Sequence, residues 1–167
     1  SLGYPGPSER FLGSHAAAHG AGRPILAKLQ IGTTHEMATV PNLPLLTNLH
    51  RKLAGLQDLG VAGFMGTWNF GCSLTLNTYA VRHFLEDPVE HRDRDRFLST
   101  LAQAYLGTAD PGATIRAWEC FSRAFEHYPF CIRLLYFSPL NDAPAHPLSF
   151  RYTAAPLGGS WEKHAFG

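Results

Sequence analysis

A histidine and a glutamate stand side by side at positions 35 and 36, within the segment Gly32-Thr33-Thr34-His35-Glu36-Met37-Ala38-Thr39-Val40-Pro41. A carboxylate in such a place can act as general acid, base or nucleophile, or can hold sugar hydroxyls through charge-assisted hydrogen bonds. The plainer reading has Glu36 capping the next turn or pairing with Lys28, while His35 faces solvent. A second chemically equipped segment runs from Thr67 to Ser73 and opens Thr67-Trp68-Asn69-Phe70-Gly71. An indole at Trp68 suits the apolar face of a sugar ring and leaves its N–H free to donate, or it packs inward as core. Asn69 can bond a hydroxyl or shape the turn. Lys28 and Gln30 lie just ahead of the first segment and complete the candidate set.

Other chemistries fit the residue types less well. His35, Glu36 and His50 do not have metal-site spacing, and His50 falls among leucines. His15 and His19 are four apart with no third ligand nearby, so neither a metal nor a cofactor is expected. The three cysteines, Cys72, Cys120 and Cys131, form no CxxC pair. Reduced thiols in a cytoplasmic protein fit that odd number best. Fourteen basic and thirteen acidic residues give a net charge of +1, which carries no electrostatic footprint for nucleic acid. No run of about 18 apolar residues is present and nothing resembles a secretory signal, although a removed leader would leave no trace.

The elements that must position these residues follow from period and punctuation. Ser8 can cap a helix that ends near Gly20-Ala21-Gly22. Ile25 to Ile31 reads as a strand, with Ile25, Ala27, Leu29 and Ile31 on one face and Leu26, Lys28 and Gln30 on the other. Leu45, Leu46, Leu49, Leu53 and Leu56 recur at helical spacing, and Gly60 is a natural stop. A second strand covers Val61 to Trp68, and its two internal glycines imply close packing. A helix through Tyr79, Val81 and Phe84 then stops at Asp87-Pro88.

The alternation of helix and strand with short connections predicts parallel βαβ geometry, in which ligands bind beyond the C-terminal ends of the strands. Beyond Pro88 the pattern becomes helical. The mixed-sign run Glu90 to Arg96 reads as a solvated helix start. A helix over Arg92 to Leu106 carries Phe97, Leu98, Leu101 and Tyr105, and one capped by Asp110-Pro111 carries Ile115, Trp118, Phe121, Ser122 and Phe125. One short strand, Ile132 to Phe137, precedes a tail rich in proline and glycine.

The run Ile25-Leu26-Ala27-Lys28-Leu29-Gln30, then Thr34-His35-Glu36 and Val40-Pro41-Asn42-Leu43-Pro44, resembles the later strands of uncharacterised bacterial barrel proteins related to glycoside hydrolases. Their pattern "KLQ…TWE…VP.LP" is followed by "GV.G.M..W..GG", which the segment Gly60 to Gly71 resembles. Trp118, Phe121 to Phe125 and Tyr128-Pro129-Phe130 are similar to the helical region after the barrel. The resemblance implies a parallel (β/α)8 barrel, loosely hexosaminidase-like, with Glu36 and Trp68 on the glutamate and tryptophan of the pattern. His35 replaces an expected tryptophan and Cys72 a glycine, which removes one aromatic platform.

A full barrel needs about 250 residues, and this chain has 167. The expectation is therefore the last two β/α units of a barrel over residues 1–88, a helical appendage over 89–137 and an irregular tail over 138–167. The remaining strands are expected upstream or from another chain. Glu36 is the candidate catalytic residue of a glycosidic-bond hydrolase, and Lys28, Gln30, His35, Trp68 and Asn69 are its candidate substrate-binding residues. A non-catalytic carbohydrate-binding or structural barrel remnant and a helical protein-interaction domain stand beside that reading.

Overall fold

A computed structural model describes residues 2–33, 36–37, 40, 42–67 and 74–128. Helix α1 (Glu9–Gly20) starts where Ser8 Oγ accepts the Phe11 N–H at 3.2 Å, as the capping pattern predicts. Strand β1 (Leu26–Gln30) leads to helix α2 (Leu46–Asp58), which ends before Gly60 in the left-handed region at φ +61°. Strand β2 (Gly63–Thr67) pairs in parallel with β1, with Leu26 opposite Gly63 and Gln30 opposite Thr67. Helix α3 (Leu76–Glu86) opens on a capping box between Thr75 and Thr78. A 3-10 turn (Glu90–Arg92) precedes α4 (Arg94–Leu106), and α5 (Gly112–Glu126) follows.

The barrel expectation is overturned. Among the described residues there are five α-helices and a two-stranded parallel sheet, a mixed α/β arrangement that is mostly helical. The physical reason lies in β1. Its inner face, Ala27, Leu29 and Ile31, is buried as the alternation demands, but that face packs against helices whatever the number of strands. In a closed barrel the other face would line the lumen. It is largely open: Leu26 is 71% and Met65 60% exposed, and Lys28 between them is exposed as well. Sequence alternation distinguishes two faces of a strand, yet cannot tell a closed lumen from solvent.

The core gathers around α2. Leu45, Leu46 and Leu49 are fully buried, with Leu53 just behind, and they share one cluster with Leu29 of β1 and the adjoining Ile31, Phe84 of α3, Phe97, Leu98 and Leu101 of α4, and Trp118 and Phe125 of α5. One cluster thus joins the strand–helix units to the C-terminal helices. Leu2 is fully buried in the same cluster, inserted from the N-terminal segment. Burying such a side chain contributes about 1.5–3 kcal/mol. Two aromatic assignments are corrected. Phe121 is 47% exposed, because it lies nearly a quarter turn away from the Trp118, Ser122 and Phe125 stripe. Tyr105 is 42% exposed, although its ring lies 5.1 Å from that of Tyr79.

The two strand glycines do mark close contacts. A Cβ on Gly66 would meet Ile31 Cδ1 at 3.1 Å, and one on Gly63 would meet Leu26 Cδ2 at 3.2 Å. The charged run from Glu90 is solvated except at His91, which is buried. Asp93 caps α4 by accepting the Arg96 N–H at 2.7 Å. Among the described residues no helix is long and apolar enough to cross a membrane. The strand expected over Ile132 to Phe137 and the tail lie outside the described residues.

Candidate functional site

The N-terminal segment with α1, and β1, α2 and β2, converge on one cavity. The N-terminal segment and the start of α1 supply Tyr4, Ser8 and Phe11; β1 supplies Lys28 and Gln30; α2 supplies Lys52, Gly55 and Leu56, with Thr67 of β2 at the strand ends. Its volume is about 440 Å³, within the usual range for small-molecule sites. Lys52, Gly55 and Leu56 stand at i, i+3 and i+4, so one face of α2 forms the wall, and the glycine leaves it recessed.

Of the expected substrate-binding residues, Lys28 and Gln30 line this cavity. His35, Trp68 and Asn69 lie outside the described residues. Glu36 is close by but does not line the cavity, and it is only 1% exposed. Its Oε2 accepts from Gln30 Nε2 at 2.6 Å, and its Oε1 accepts from the backbone N–H of Leu2 at 2.5 Å. Its backbone carbonyl accepts from the Tyr128 hydroxyl at 2.9 Å. One residue therefore ties the N-terminal segment, β1 and the end of α5 together. Charge-assisted bonds of this length hold a carboxylate firmly.

Glu36 also positions its neighbour. The Gln30 Nε2 group spends its hydrogens on Glu36 and on the Gly32 carbonyl at 3.1 Å. That leaves Gln30 Oε1 as the amide's acceptor for a ligand donor, without a partner among the described residues. The loop behind is held by Thr33, whose hydroxyl donates to the Val40 carbonyl at 2.6 Å and accepts the Leu43 N–H at 3.2 Å. Thr67 Oγ1 donates to the Leu29 carbonyl at 3.3 Å, which keeps its lone pairs available.

Lys52 is the residue that sequence reasoning missed. It is half-buried, and its ammonium makes no hydrogen bond or ion pair among the described residues. Burial pushes its pKa down to about 8, and attraction from the Glu36 carboxylate opposes the shift only in part. A signal was present. Lys52 falls three residues after Leu49 and four before Leu56, inside the apolar stripe of α2 rather than on its polar face.

The cavity thus offers two lysine side chains, an amide oxygen, a threonine hydroxyl and the Tyr4 phenol. No aspartate or glutamate is among its lining residues. Among the described residues no group of three histidine, cysteine or carboxylate side chains could hold a metal ion. The chain matches no protein-family model, no curated protein and no solved structure with which it was compared.

Proposed function

We propose that this protein binds a small acidic carbohydrate, such as a sugar carrying a carboxylate, in the cavity between its N-terminal segment, β1 and α2. The observation that carries this reading is Lys52: a half-buried ammonium without an ion pair among the described residues, facing a cavity that Lys28 also lines. A desolvated cation of this kind is best satisfied by an anionic group on a ligand. Gln30 Oε1 and Thr67 Oγ1 then accept from ring hydroxyls.

The reading is binding rather than hydrolysis, because hydrolysis of a glycoside calls for two carboxylates roughly 5 to 10 Å apart flanking the bond. Glu36 in this reading is a positioning residue that fixes Gln30. A cytoplasmic setting belongs to the same proposal and rests on the cysteine pattern.

Titration with glucuronate and with neutral methyl glucoside, followed by calorimetry or amide chemical shifts, tests the reading. Glucuronate should bind saturably and more tightly than the neutral sugar. Gln30→Leu should weaken it about tenfold or more, the worth of one hydrogen bond to a fixed acceptor. No saturable response to glucuronate up to about 10 mM would sink the idea.

A further inference from the structure

We propose that Lys52 is a carbonyl-reactive amine, which forms a reversible imine with the open-chain aldehyde or keto form of a ligand held in the cavity. This rests on the cavity reading above and adds a covalent step to it, in which Lys28, the cavity's other lysine, keeps the ligand's carboxylate while neutral Lys52 reacts. The geometry sets the amine apart. Lys52 stands in the middle of α2 and lines the cavity beside Gly55; the Glu36 carboxylate attracts it, but it makes no hydrogen bond or ion pair among the described residues. Nearly all the polar groups around Glu36 are spent on one another, so they do not compete for the amine.

Burial supplies the second requirement. With its pKa lowered to about 8, about one Lys52 in ten is neutral at pH 7, against about one in three thousand for an ordinary lysine. Desolvated lysines of this type are the ones that attack carbonyl carbons. In the step, the Lys52 Nζ lone pair forms a bond to the carbonyl carbon while the oxygen takes up a proton, giving a carbinolamine. Loss of that oxygen as water and of a proton from nitrogen leaves the neutral imine. Amine and carbonyl become imine and water, with no change of oxidation state.

Trapping on the full chain tests this. Glycolaldehyde is added with cyanoborohydride at pH 7, and hydride addition converts any imine to a stable secondary amine located by peptide mass spectrometry. Lys52 should be modified at least about tenfold faster than Lys28, with a pH midpoint near 8, and the preference should vanish in urea. Modification of Lys52 no faster than that of Lys28, or a preference that survives unfolding, overturns the inference. Methyl glucuronide, which has no free carbonyl, separates the two ideas. If it binds while Lys52 shows no preference, only the imine fails. If it neither binds nor protects and no preference is seen, the cavity reading fails with it. Selective modification that methyl glucuronide slows supports both.

Discussion

The backbone N–H of Leu2 donates to Oε1 of Glu36 at 2.5 Å, joining residues 34 positions apart within the core. The carbonyl of the same residue accepts from Asn48 Nδ2 at 3.0 Å, and that amide also reaches the Ser122 carbonyl at 3.2 Å. The N-terminal segment is therefore held on both sides of one peptide, and Leu2 is a keystone rather than a frayed end.

Glu36→Gln should cost about 1–3 kcal/mol, because the new amide must turn an N–H toward either the Leu2 N–H or Gln30 Nε2. Leu2→Ala should cost about 2–5 kcal/mol by opening a cavity among α2, α4 and α5. Urea denaturation measures both. Unchanged midpoints would show that the segment does not support the core.

Lys52→Met should stabilise the fold by about 1–3 kcal/mol at pH 7, since it removes a half-buried charge with no ion pair. The sign with pH is fixed. The folded amine has its pKa lowered to about 8 from 10.5, so between these values the unfolded chain binds more protons and stability rises with pH. The wild type should show that rise and the variant should lack it. Equal slopes for the two proteins would contradict the assignment.

A histidine cluster predicts acid sensitivity. His83 and His91 have ring centroids 4.2 Å apart, and His50 Nε2 lies 3.0 Å from the His91 carbonyl. Burial lowers the pKa of His50, offset in part by the His91 and Arg92 carbonyls; burial and then His91 lower that of His83, offset by Glu86. Both folded values sit below the ordinary 6.5, so the unfolded chain takes up protons first as pH falls. Stability should decline below about pH 6.5. His83→Gln, which can still bond the Thr100 hydroxyl now 2.9 Å from His83 Nε2, should flatten the decline. An undiminished slope in that variant would count against the cluster.

Gly107→Ala should destabilise by about 1 kcal/mol, because Gly107 closes α4 at φ +64° and a side chain is strained there. Nothing lies within 4 Å of an added Cβ, so the loss isolates backbone strain from packing. Thermal melts of the two proteins should differ accordingly. An identical melting temperature would show that the helix end relaxes.

Local rules alone were enough to place the elements. The Ser8 cap, the leucine stripe of α2, the inner face of β1 and the Gly60 and Gly107 stops all follow from neighbours within a turn or a strand, so a linear reading finds them. The strand-end position of Lys28 and Gln30 was legible in the same way, and both line the cavity. What the sequence could not determine is where the second face of that strand looks. A polar face toward a lumen and one toward solvent have the same alternation, and only the tertiary structure, with the helices packed on the inner face alone, decided between them. The burial of Glu36 was hidden for the same reason. Its partners are 6 and 34 residues away, and a carboxylate's burial depends on contacts that no local pattern carries. The spacing of Lys52 on α2 was legible, but its desolvation was not, because desolvation of an amine is a property of the enclosing fold and not of the helix that bears it.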